Sequence, residues 1–89
     1  MRQTQRPVKP QDRPLPRSLR LLGYYIRIKQ VSVSQLAEVA KDDRPLDGFW
    51  DDETLTIYLL RRRSRKVKRV TLWHEVNHAV VDLKDLEAQ

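Results

Sequence analysis

Residues 48–88 read GFWDDETLTIYLLRRRSRKVKRVTLWHEVNHAVVDLKDLEA, and they combine two different hydrophobic periods. In the first part, Leu55, Ile57 and Leu59 occupy alternate positions, as in a half-buried strand, and an acidic turn separates this strand from the preceding GFW. From about Ser64 onwards, apolar residues recur every three or four positions, which is typical of an amphipathic helix. The stretch therefore predicts a β-hairpin followed by one long C-terminal helix.

The residues upstream of this hairpin predict one further strand and one short helix. Alternating apolar and charged side chains indicate a strand from about Tyr24 to Val31. Ser32 and Gln35 then have the spacing of a capping box, which predicts that a short helix begins there and continues to about Ala40. The expected fold class is α+β, with a small antiparallel sheet of about three strands packed on the long helix and a short extra helix.

Length and composition indicate one small domain. The chain has 89 residues and no cysteine, which excludes a disulfide scaffold, a cysteine nucleophile and a thiolate metal site. Residues 1–18 are basic and rich in proline, and we expect them to form a disordered arm, with residues 19–89 as the single domain. No stretch resembles a transmembrane helix or a secretory signal, so the expected location is cytoplasmic.

The two faces of the predicted C-terminal helix differ. One apolar stripe should pack on the sheet and consists of Leu72, Val76, Ala79, Val80 and Leu83. The opposite side carries the two histidines of the chain among apolar residues, which predicts a covered cleft; these flanking residues are Val67, Val70 and Val81. Five of the six aromatic residues are expected in the core or in the cleft wall; these five are Tyr24, Tyr25, Phe49, Trp50 and Trp73.

The histidines belong to the motif WHEVNH at residues 73–78. Positions i and i+4 stack on one helical face with Cβ atoms roughly 5–6 Å apart, so the rings of His74 and His78 can converge on one Zn²⁺. Glu75 lies about 100° round the helix, where its carboxylate can act as general base on a zinc-activated water. The alternative is that both histidines are ordinary helix residues, because the pattern by itself is short.

The segments TLWHEVNHAVVD and GFWDDETLTIYL together resemble the zincin metallopeptidases, and they are most similar to the small intracellular ImmA/IrrE and SprT-like ones. The resemblance covers roughly residues 46–83. It implies a zinc-dependent peptidase in which His74 and His78 bind Zn²⁺ and Glu75 is the catalytic carboxylate. It also implies that the strand at residues 48–50 borders the cleft, where the backbone of a peptide or protein substrate adds as an extra strand.

The third zinc ligand departs from the pattern of that family. Such zincins take it from a segment after the motif helix, and only eleven residues follow His78. Asp82 is the best internal candidate, because it lies one turn beyond His78 near the same face, although roughly 6 Å further along the helix axis. Other candidates are Asp85, the acidic turn at residues 51–53, a partner subunit or a water. A solvated acid is the alternative for Asp82.

Positive charge is concentrated in one run of the sequence. The net charge is +6, and seven of the nine residues 61–69 are Arg or Lys. This run predicts either a solvated linker into the helix or a patch for non-specific contact with nucleic-acid phosphates. Three functions therefore compete: a zinc metallopeptidase, which the motif favours, a non-catalytic binding protein with a zincin fold, and a small basic nucleic-acid-associated protein.

Overall fold

The computed structural model describes residues 14–88 and has an α+β fold, which confirms the fold class expected from the sequence. The strands and helices, in chain order, are β1 (Ser18–Leu21), β2 (Tyr24–Val31), α1 (Val33–Ala40), β3 (Gly48–Asp51), β4 (Thr56–Leu60) and α2 (Arg65–Ala88). The strands form one sheet in the order β1-β2-β4-β3. The motif WHEVNH lies in the middle of α2.

The sheet differs from the expected one in strand number and direction. It has four strands, and β2 runs parallel to β4, whereas the β1–β2 and β3–β4 pairs are antiparallel. Parallel neighbours require a crossover connection, and α1 lies within the segment that links β2 to the β3–β4 hairpin. The extra strand β1 precedes a two-residue turn in which Leu22 and Gly23 both have positive φ angles, 53° and 85°. This is the φ pattern of a tight hairpin turn.

The local features read from the sequence are present. The bounds of β2 agree with the prediction, and Ser32 and Gln35 form both hydrogen bonds of a capping box at the start of α1. The β3–β4 hairpin and a long α2 are also confirmed. Ser64 precedes α2 and accepts a hydrogen bond from the backbone N–H of Val67 at 3.2 Å.

Two hydrophobic clusters lie on opposite faces of the sheet, since alternate residues of β2 and β4 contribute to each. The larger cluster joins α2 to the sheet and includes four members of the predicted stripe, with Val80 packed at its margin. The smaller cluster contains Leu36 of α1. Neither helix of the described chain is long and apolar enough to cross a bilayer.

The outer side of α2 is not covered by any part of residues 14–88, which corrects the expectation of a covered cleft. Val70 and Val81 are exposed there, and Trp73 exposes 62% of its surface. Tyr25 is also exposed, so two of the five aromatic residues expected in the core or cleft wall lie on the surface, whereas Trp50 is buried. The apolar stripe of α2 predicted the buried face correctly, because this stripe alone packs against the sheet.

The predicted arm at residues 1–18 lies mostly outside the described residues. Its last residues belong to the fold: Leu15 packs against the larger cluster, and the carbonyl of Arg17 accepts a hydrogen bond from the N–H of Ile28 at 2.9 Å. The chain therefore joins the sheet at Arg17, two residues before Leu19, because β2 offers an edge with which this segment can pair.

Candidate metal and catalytic site

His74 and His78 point towards the same place on the exposed side of α2. Their Nε2 atoms are 3.1 Å apart, and the ring centroids are separated by 4.7 Å with the planes at 84°. Two imidazole nitrogens that bind one tetrahedral Zn²⁺ at 2.0–2.1 Å lie about 3.3 Å from each other. The observed separation fits such a pair, and it also fits a hydrogen bond in which one ring donates to the other.

Glu75 occupies a different environment from its histidine neighbours. It exposes only 8% of its surface, whereas both histidines are exposed. Burial raises the pKa of the Glu75 carboxyl, while the nearby His78 and His74 and a hydrogen bond from the backbone N–H of Trp50 oppose that rise. A carboxylate with a raised pKa is a stronger base, which is the property that general-base catalysis needs.

The register of the β3–β4 hairpin explains why Trp50 can donate its backbone N–H to Glu75. Leu60 donates its N–H to the carbonyl of Asp47 at 2.9 Å, and Trp50 is opposite Ile57. Hydrogen-bonded and non-hydrogen-bonded pairs alternate along an antiparallel ladder, so the Trp50–Ile57 pair is of the second kind. The backbone groups of Trp50 therefore point away from β4, towards the outer edge of β3.

Gly48 allows α2 to approach that edge closely. A Cβ atom at Gly48 would lie 2.6 Å from Cγ2 of Thr71 and 2.9 Å from the carbonyl oxygen of Tyr58. Any larger residue would push α2 away from β3. Gly48 thus has a packing role between β3 and α2.

A cavity of ≈ 230 Å³ lies between α2 and the edge strand, next to the catalytic candidate. Its lining residues are Phe49, Trp50, Glu75, His78 and Asp82. The cavity thus brings together one histidine, the buried carboxylate and the strand that the zincin resemblance would place at the cleft. This arrangement supplies a base and a hydrogen-bonding strand edge at one location.

Asp82 is held by the sheet and not by the histidine pair. Its Oδ2 accepts a hydrogen bond from Nε1 of Trp50 at 2.8 Å. In the acidic turn, Asp51 accepts hydrogen bonds from the N–H of Glu53 and the hydroxyl of Thr54. Over the described part of the chain, no group of three His, Asp or Glu side chains is arranged to hold a metal ion, so neither Asp82 nor the acidic turn completes a set with the imidazoles.

Trp50 was expected from the sequence in the core or the cleft wall, but its hydrogen bonds to Glu75 and Asp82 were not predicted. Its two contacts, with Glu75 through the backbone and with Asp82 through the indole, depend on the position of β3 beside α2. The only signal in the sequence is that Trp50 lies in the hairpin strand which the zincin resemblance associates with the cleft.

Comparison of the chain with protein-family models, with curated proteins and with solved structures returned no match. The zincin resemblance therefore depends on the motif, the hairpin and the geometry described above.

Proposed function

We propose that this protein is a zinc-dependent metallopeptidase in which His74 and His78 hold the metal and Glu75 is the general base. The observation that carries the proposal is the 3.1 Å separation of the two Nε2 atoms next to a buried carboxylate. In this arrangement Glu75 can act as a general base. Without such a function, a buried carboxylate with a raised pKa only lowers the stability of the protein at neutral pH. The proposal includes the cytoplasmic location expected from the sequence.

Each residue would have a defined task in peptide-bond hydrolysis. Bound zinc would supply a Lewis acid that polarises a water and the substrate carbonyl. Glu75 would take a proton from the attacking water on its carboxylate and then deliver that proton to the nitrogen of the leaving amine. The Trp50 N–H would orient the Glu75 carboxylate between these two transfers.

A peptide substrate would bind along the outer edge of β3. β3 is the last strand of the sheet, and no other described strand pairs with that edge. The Trp50 carbonyl points outwards there, so it can accept a hydrogen bond from the backbone of an extended peptide. A substrate in this position would lie against the cavity that Glu75 and His78 line.

The deciding experiment combines metal analysis with one isosteric substitution. We expect about one Zn²⁺ per chain by mass spectrometry and hydrolysis of fluorescein-labelled casein. Glu75→Gln should retain zinc and lower the rate by roughly 10²–10⁴-fold, the usual contribution of a general base. Glu87→Gln, the same chemical change at an exposed position of α2, is the matched control and should leave both quantities unchanged.

A second function is favoured by the small number of candidate zinc ligands. Among residues 14–88, two candidate ligands converge and Asp82 is engaged by Trp50, so the same scaffold could serve as a non-catalytic binding protein whose metal is structural or absent. In that case His74→Ala and His78→Ala would lower stability, and casein would not be cleaved by the zinc-loaded protein. A zinc content near zero after purification without chelators would contradict the peptidase and leave the metal-free form of the binding protein.

A further inference from the structure

An open groove of ≈ 790 Å³ lies near the N-terminal end of α2 and shares no residue with the cavity beside Glu75. It is formed by the chain segment that leads into β1, by β2 and by the region where β4 gives way to α2. The structure describes twelve residues in its lining, and all of them belong to these three parts of the chain. The volume is at the upper end of the range of about 300–1,000 Å³ for ligand sites.

Half of these lining residues are cationic, and no Asp or Glu is among the described ones. The six positive side chains come from three separate parts of the sequence, at residues 17, 27–29 and 61–68. Gln30 fixes two of them: its carbonyl accepts a hydrogen bond from Arg61 at 2.8 Å, and its Oε1 accepts one from Lys68 at 2.7 Å. A concave surface lined by several cations attracts negative charge, so the groove fits a polyanion.

One exposed aromatic ring lies among these charges. Tyr25 exposes 53% of its surface and is on the same side of β2 as Arg27 and Lys29, since alternate residues of a strand share a face. Cationic grooves with an accessible ring are the usual means of binding single-stranded nucleic acid, because phosphates contact the charges and a base stacks on the ring. Pro14 and Pro16 also line the groove.

We propose that this groove binds single-stranded DNA or RNA without sequence preference. The partner surface therefore extends beyond the basic run at residues 61–69 and includes Arg17, Arg27 and Lys29. A bilayer surface is too flat to enter a concave groove, whereas a single strand can pass through it. Stacking on Tyr25 also requires an unpaired base, which favours single strands over duplexes.

Fluorescence anisotropy with a labelled oligothymidylate tests the charge contribution. Each phosphate contact to a single strand contributes about −0.7 to the slope of log K against log salt. Arg27→Gln with Lys29→Gln should therefore make the slope shallower by roughly 1.4 and weaken binding roughly 25-fold at about 0.1 M salt. Lys41→Asn with Lys84→Gln removes the same amount of positive charge outside the groove. This control pair should leave the salt slope unchanged and should change the affinity by no more than about 2-fold.

A second pair of variants tests the aromatic contribution. Tyr25→Leu should weaken binding roughly 5- to 150-fold, whereas Tyr25→Phe keeps the ring and should bind as the parent protein does. Equal losses in the groove pair and the control pair would overturn the proposal, as would the absence of binding at low salt. Binding to vesicles that contain phosphatidylserine with no loss in the groove variants would also overturn it, because the positive charge would then act on anionic surfaces in general.

Discussion

Among single residues, Glu75 is the one whose environment and proposed chemistry are most closely linked. Its carboxylate is buried beside two exposed imidazoles and receives the N–H of Trp50. Burial makes the charged form costly, and that cost raises the basicity of the group. Function and stability should therefore place opposite demands on this position.

The first prediction is that Glu75→Gln stabilises the zinc-free protein at neutral pH. Burial raises the pKa of Glu75 above its ordinary value of 4.5. A raised folded-state pKa contributes stability below the unfolded pKa, and this contribution is lost as the pH rises through the folded pKa. Glutamine resembles the protonated form and keeps its stability, so the advantage of the variant should grow from acidic to neutral pH.

Urea midpoints measured with a chelator at about pH 3.5 and about pH 7.5 would check this sign. Glu87→Gln is the control for titration of the other groups. A Glu75→Gln variant that is less stable than the parent protein at neutral pH would show that the charged carboxylate is stabilised by His74, His78 and Trp50 more than burial destabilises it.

At the scale of secondary-structure elements, the important contact is between α2 and the edge strand β3. It combines the approach of Thr71 to Gly48, the Trp50–Glu75 hydrogen bond and the Trp50–Asp82 hydrogen bond. The three contacts extend over three turns of the helix. They hold the motif helix in register with the strand that we propose for substrate binding.

The second prediction concerns the role of Asp82 in this contact. Asp82→Ala should lower the free energy of unfolding by about 1.5 kcal/mol, the lower end of the range for hydrogen bonds to charged groups, because the pair is only partly buried. Zinc content should not change. Trp50→Phe removes the donor, and the double variant should lose less stability than the two single changes added together.

Denaturation and metal titration of these three variants separate a structural role from a ligand role. If Asp82→Ala weakens zinc binding and Trp50→Phe does not, then Asp82 is a zinc ligand, as the sequence suggested. If both changes leave zinc binding intact and their effects on stability are coupled, then Asp82 serves to fasten β3 to α2.

At the scale of the whole molecule, a small core should make the proposed zinc important for the stability of the domain. Small domains bury a smaller fraction of their surface than large ones and often depend on a metal or another added constraint. His74 and His78 lie on α2, which packs across the sheet in the larger cluster, so a ligand there should stabilise the entire domain.

The third prediction is a thermal shift on addition of zinc. Saturation at 100 times the dissociation constant adds about 2.7 kcal/mol. This corresponds to an increase in Tm of roughly 10–20 °C for a domain of this size. Differential scanning fluorimetry with His74→Ala and His78→Ala as controls should show the shift only in the parent protein. An equal shift in all three proteins would place the zinc elsewhere.

Local patterns in the sequence were sufficient to predict most of the elements. The bounds of β2, the capping box of α1 and the buried stripe of α2 each depend on residues within one or two turns or within one strand. The spacing of His74 and His78 likewise predicted that their rings meet, because an α-helix places positions i and i+4 on one face. No information from distant parts of the chain is needed for these features.

The tertiary structure alone decided which distant segments meet. The parallel pairing of β2 with β4 brings Arg27 and Lys29 to the same groove as Arg61 and Lys68. The position of β3 beside α2 lets Asp82 accept a hydrogen bond from Trp50, and Asp82 does not join the histidine pair. Strand order and direction depend on long-range packing and on the path of the crossover connection, neither of which is encoded in any short pattern. The sequence by itself therefore determined the helix, the hairpin and the histidine pair, and the packing of the sheet determined their neighbours.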